Sequence, residues 1–126
     1  MATNNPVGWF EIYVKDMSRA KAFYEAVLAV NLDRLNSPDS SLEMYSFPMH
    51  ADASGAAGAL VKMEGGPAGG AGTIVYFTAE DCATEIGRVK SSGGSVMKDK
   101  FSIGDYGYIA LGIDTEGNVI GFHSMR

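Results

Sequence analysis

The sequence predicts an α+β fold: two βαβββ modules within a single domain, residues 1–126. Three observations predict it. Alternation with a period of two over residues 9–14 gives way to helical spacing after Asp16. The same order of strand, Asp and helix returns after Asp81, at an offset of 81 − 16 = 65 residues. Between the two stretches lies Gly65-Gly66-Pro67-Ala68-Gly69-Gly70-Ala71-Gly72, which cannot hold regular structure and reads as a linker. Module one therefore spans about 7–64 and module two about 73–126.

Taken in order, the first strand alternates Phe10, Ile12 and Val14 with Trp9, Glu11 and Tyr13. One face packs on the following helix; the other carries a tryptophan, a carboxylate and a phenol. Asp16 is a good N-cap, and Ala20, Phe23, Tyr24 and Val27 recur at helical spacing. Ala29–Leu35 leads into a second strand, and 36–41 is a polar turn containing Pro38. Leu42–Phe47 is a strand ended by Pro48, His50–Gly58 a loop, and Ala59–Met63 a short strand. In module two, Thr73–Thr78 is a strand. Asp81 caps a helix carrying Ala83, Ile86 and Val89, closed by Gly93-Gly94. Val96–Lys98, Tyr108–Ile113 and Val119–His123 are strand-like, and Asp114–Asn118 is a tight turn with Gly117 at positive φ. Phe10, Ile12, Val14, Phe23, Val75, Phe77 and Ile86 are the expected core between strands and helices. Neither module buries its sheet face alone, so both should fold as one unit.

Composition narrows the function. An apolar content of 46% in 126 residues fits a globular chain. A net charge of −5 without a basic cluster argues against nucleic acid as a partner. No apolar run approaches membrane-span length, so no membrane partner is expected. The opening MATNNPVGW lacks a basic region followed by an apolar segment, and a cytoplasmic location is the expectation. Cys82 is the one cysteine, which excludes an intrachain disulfide and a CxxC motif; it reads as a small filler in the first turn after Asp81.

Three pieces in this order cover nearly the whole chain: V-x-D-x-x-x-A-x-x-F-Y from Val14 to Tyr24, Gly93-Gly94 before a strand, and D-x-x-G-N from Asp114 to Asn118. The chain resembles the vicinal oxygen chelate superfamily, the family of glyoxalase I, the bleomycin-resistance proteins and the extradiol dioxygenases. Its WFEI opening and its EGNVIGFH end resemble glyoxalase-like proteins of unassigned activity. The resemblance implies a curved mixed β-sheet with a concave cavity and helices on the outer face, and a homodimer that covers exposed sheet edges. It also implies four metal-ligand positions: Trp9, Ile74, Gly121 and one residue within Ala56–Leu60. None of these side chains donates to a metal, so neither a metal site nor another cofactor is expected.

Glu11 is the sharpest candidate, as a general base or as the group that holds an amine or hydroxyl of a ligand. The plainer reading is a structural carboxylate satisfied by tyrosine hydroxyls or backbone N–H groups. His123 lies two residues after Gly121 and is a candidate acid or orienting group, or else a solvated histidine on an edge strand. Trp9, Tyr13, Tyr45, Tyr76 and Tyr106 are candidate aromatic walls, with core packing as the alternative for some. Lys100 is a candidate point charge for an anionic ligand. These residues suit a small organic molecule held in a metal-free, aromatic-lined cavity, as in sequestration of a cationic aromatic compound. Two enzyme readings stand beside it. One is a metal-independent acid–base enzyme using Glu11. The other is a glyoxalase-, lyase- or dioxygenase-type metalloenzyme with ligands shifted to Glu11 and His123.

Overall fold

A computed structural model describes residues 5–37, 40–65 and 72–126. They form eight strands and two α-helices in α+β order. Module one holds β1 (Val7–Tyr13), α1 (Met17–Leu28), β2 (Asp33–Leu35), β3 (Leu42–Ser46) and β4 (Ala59–Met63). Module two holds β5 (Thr73–Thr78), α2 (Cys82–Val89), β6 (Ser95–Ser102), β7 (Tyr108–Ile113) and β8 (Val119–Ser124). The expected linker falls mostly on 66–71, and part of the Pro38 turn on 38–39, which lie outside the described residues. Among the described residues no helix is long and apolar enough to cross a membrane.

The chain divides into two compact units, Phe10–Thr73 and a second made of the residues up to Trp9 together with Ile74–Arg126. In the first unit the strand order is β2-β3-β4-β1, with β4 and β1 parallel and the other neighbours antiparallel. In the second the order is β5-β8-β7-β6, with β5 and β8 parallel and the rest antiparallel. The same order with the same mixed sense in both halves is the repeat that the Asp16 and Asp81 signals announce.

Both helices start where a carboxylate can satisfy orphan N–H groups. Asp16 Oδ1 accepts from the Arg19 N–H at 3.0 Å, and Asp81 Oδ1 from the Ala83 N–H at 3.0 Å. α1 packs its Met17, Ala20 and Tyr24 against Phe10, Ile12, Val14 and the buried Leu32, Phe47 and Leu60. Tyr24 meets Phe47 edge-on at 5.7 Å. α2 packs Cys82, Ile86 and Val89 against Tyr108, Ala110 and Phe122, and Phe77 lies beside Phe122 at 6.0 Å. Cys82 is fully buried, and its N–H donates to Ser124 Oγ at 3.0 Å.

One expected core residue is misplaced: Phe23 is 58% exposed and touches Tyr24 from outside. α1 carries apolar residues on nearly every side, so their spacing does not say which stripe faces in. His123 is also differently placed from expectation. The parallel β5–β8 pairing inserts β8 between β5 and β7, so its strand is interior and not an edge.

Candidate functional site

In module one, the alternation of β1 sends Phe10, Ile12 and Val14 to α1 and leaves Glu11 and Tyr13 on the opposite face. The Tyr13 hydroxyl donates to Glu11 Oε1 at 2.9 Å, joining the two side chains across one strand repeat. Burial, helped by the neighbouring Glu11 charge and that hydrogen bond, pushes the Tyr13 phenol well above its ordinary range. Tyr13 is therefore a neutral, proton-bearing donor at any ordinary pH. Register places Ala59 beside Glu11 and Val61 beside Tyr13, both fully buried, with Met44 beside Val61. The face thus consists of one carboxylate, one phenol and the apolar Ala59, Val61 and Met44, with the buried Ser46 beside Ala59.

Tyr45 stands on the other side. It belongs with the α1 core, and the cations of Lys21 and Arg34 lie 5.6 and 5.9 Å from its ring centroid. Lys21 also pairs with Glu25 at 3.1 Å. The Leu32 N–H and Lys21 together hold the Glu25 carboxyl below the usual carboxylate range, while Glu25 fastens the turn after α1. These groups serve the helix.

In module two, Phe122 faces α2, so His123 faces away from it. Its Nε2 lies 2.6 Å from the Tyr106 carbonyl oxygen, which can only accept; Nε2 carries the proton. Tyr106 ends a short turn between Gly104 and Gly107, and its ring is exposed. The Tyr106 ring is the expected wall, whereas the group that engages His123 is the Tyr106 backbone. The only sequence signal for that contact is the pair of glycines, Gly104 and Gly107, that opens and closes the tight turn. Tyr76 is buried, and its ring lies across Gly121, its register partner on β8. Trp9 is half-buried in the same unit.

Lys100 is not placed to meet an anionic ligand. Its Nζ lies 2.8 Å from Asp81 Oδ1 and 4.7 Å from the Tyr108 ring centroid, on the α2 side. Lys100, then the Ala83 N–H, hold the Asp81 carboxyl below its ordinary range. The lysine fastens β6 to the start of α2. A separate depression of about 300 Å³ is lined by Val14, Lys15, Lys62, Met63, Glu64 and Gly65, none of them a sequence-predicted site residue.

The implied metal does not fit the residues present. Trp9, Ile74 and Gly121 offer no donor, and the register identifies Ala59 as the module-one counterpart of Gly121, because Glu11 pairs with Ala59 as Tyr76 pairs with Gly121. Among the described residues no three His, Cys, Asp or Glu side chains gather, which leaves shifted ligands on Glu11 and His123 without support.

Residues 7–122 match the family model described as Glyoxalase/Bleomycin resistance protein/Dioxygenase superfamily. Among solved structures, a variant of Streptomyces coelicolor methylmalonyl-CoA epimerase in complex with 2-nitronate-propionyl-CoA is 15% identical, with a TM-score of 0.70 over 97% of this chain and 98% of that one. The methylmalonyl-CoA epimerase of Mycobacterium tuberculosis is 16% identical, with a TM-score of 0.70 over 100% and 93%. A hypothetical protein from Bacillus halodurans C-125 is 14% identical, with a TM-score of 0.74 over 99% and 96%. No curated protein matches the chain. At these identities the structural likeness shows the fold alone.

Proposed function

The chain belongs to the Glyoxalase/Bleomycin resistance protein/Dioxygenase superfamily, and from that premise we propose that it binds a small organic molecule against the Glu11–Tyr13 face of β1. The observation that carries this reading is the 2.9 Å hydrogen bond from the Tyr13 phenol to Glu11 Oε1, on the face turned away from α1. A neutral phenol that fixes one carboxylate oxygen orients the group without cancelling its charge. The apolar neighbours Ala59, Val61 and Met44 strengthen any charge interaction made there. A cationic or amine-bearing ligand would pair with Glu11. A carbon acid would lose its proton to it, with general-base assistance of about 10²–10⁴-fold. No step needs a protein-held metal.

The test is a thermal-shift screen with cationic aromatics and CoA esters, the latter chosen because the epimerase structures hold such compounds. Hits are then titrated against wild type and Glu11→Gln, which keeps shape and most hydrogen bonding. Glu11→Gln is expected to weaken binding at least about tenfold, the worth of one charge-assisted hydrogen bond, or to abolish turnover, while the fold survives. Equal affinity and equal turnover in both proteins would sink the reading and make Glu11 a structural carboxylate.

The same proposal includes a homodimer. Phe23, Val27 and Leu28 are 58%, 62% and 53% exposed on α1, and Ala22 and Ala26 are exposed among them. Of these, Ala22, Phe23, Ala26 and Val27 share one stripe of α1 that holds no acidic group, so in a chain of net charge −5 it is the stripe along which two copies meet with least acidic repulsion. Sedimentation velocity at micromolar concentration should give twice the chain mass of 13.3 kDa; a single species at 13.3 kDa rules the dimer out.

A further inference from the structure

The repeat sets one pair of positions in each module side by side for comparison. On β1 and β4 the pair is Glu11 and Ala59; on β5 and β8 it is Tyr76 and Gly121, at the same offset of 76 − 11 = 65 residues. In metal-dependent members of the fold, the resemblance puts a ligand at the Gly121 position. Here a Cβ at Gly121 would run into Cδ2 and Cε2 of the Tyr76 ring. Tyr76 is 4% exposed, so a packed ring and not a loose side chain holds that space. Ile74, one strand repeat earlier on β5, is buried and apolar.

We infer that the Tyr76 ring occupies the place of the metal ligand in module two, so that this half-site is closed both to a divalent ion and to a ligand. The glycine at 121 is then a requirement of the ring. Gly121 has no positive φ, so its lack of a side chain answers to space and not to backbone conformation. In module one the corresponding pair keeps a carboxylate beside a small residue. The chemistry therefore falls to Glu11, although the Tyr76 inference stands without the Glu11 reading, since no Glu11 variant enters its test.

The experiment is a double-mutant cycle on the full chain, read by melting temperature, with metal titration of the wild type. Gly121→Ala should lower the melting temperature by about 5–15 °C, as overpacking against a fixed ring does. In a Tyr76→Val background the same change should cost less than about a third of that, because the obstacle is gone. Calorimetric titration of the wild type with Zn²⁺, Ni²⁺, Co²⁺ and Mn²⁺ should show no stoichiometric binding. A Gly121→Ala protein that melts with the wild type overturns the inference, as does an equal loss in both backgrounds. Should Tyr76→Val fail to fold, the wild-type titration decides: one ion per chain at micromolar affinity overturns it, and no binding supports it.

Discussion

Gly107→Ala should destabilise the protein by at least about 3 kcal/mol, more than any conservative surface change. Two costs combine. Gly107 has φ 102° and ψ −132°, a region open to glycine and closed to residues with a Cβ. A Cβ there would also strike the Ser124 carbonyl oxygen and lie 3.1 Å from Met125 Sδ. Ser124 cannot retreat cheaply. It pairs with Tyr108 across β8 and β7, and its hydroxyl accepts from the Cys82 N–H. The Gly107 carbonyl also accepts from the Ile103 N–H at 2.9 Å, closing the turn that presents the Tyr106 carbonyl to His123. Denaturant unfolding measures the loss. A signal from the His123 ring in NMR should shift together with it, since the carbonyl it donates to is displaced. A variant as stable as wild type would show that the turn has a second conformation that accepts alanine.

Leu60→Ala should cost about 2–5 kcal/mol, and the upper half of that range is expected here. Leu60 is 0% exposed, lies on β4 between β1 and β3, and meets Met17, Leu32 and Phe47. The strands on both sides hold its backbone, so collapse around the missing atoms is restricted and a cavity remains. Register places Ile12 and Tyr45 beside it on the helix-facing side. Equilibrium unfolding with an unchanged denaturant slope checks it. A loss below about 1 kcal/mol would mean that α1 settles onto the strands and fills the gap.

Local chemistry was legible in the sequence; tertiary phase was not. Asp16 and Asp81 cap helices as read, because an N-cap needs only its next three residues. The strands Ala59–Met63, Thr73–Thr78 and Tyr108–Ile113 have the bounds that alternation and turn residues assign them. Gly117 has the positive φ that the Asp114–Asn118 turn demands. Other readings needed partners far away in the chain. Tyr45 alternates correctly on β3, but which face meets α1 depends on the register with Leu60, which β3 alone does not state. Lys100 was legible as a cation near a loop. That it reaches Asp81 at 2.8 Å depends on how β6 lies against the start of α2. Phe23 sits at helical spacing, and only the packing of α1 decides that Tyr24 turns inward and Phe23 outward. In the candidate site, Glu11 and Tyr13 followed from alternation alone, whereas the Tyr76–Gly121 pair appeared only with the parallel pairing of β5 and β8.

The division of β1 bears on the order in which the protein is made. The first residues emerge from the ribosome long before their partner: the Thr78 N–H donates to the Pro6 carbonyl at 2.9 Å, and a Cβ at Gly8 would collide with the Thr78 side chain. Residues up to Trp9 thus belong to the unit completed last, while Phe10 onward belongs to the unit completed first. A nascent chain that ends before β5 still lacks the Thr78 N–H that the Pro6 carbonyl accepts. Contacts across such a sequence distance slow folding, because the loop must close before they contribute. The two modules repeat each other in pattern, yet synthesis treats them unequally: the strand that Pro6 and Gly8 meet is made only after module one is complete.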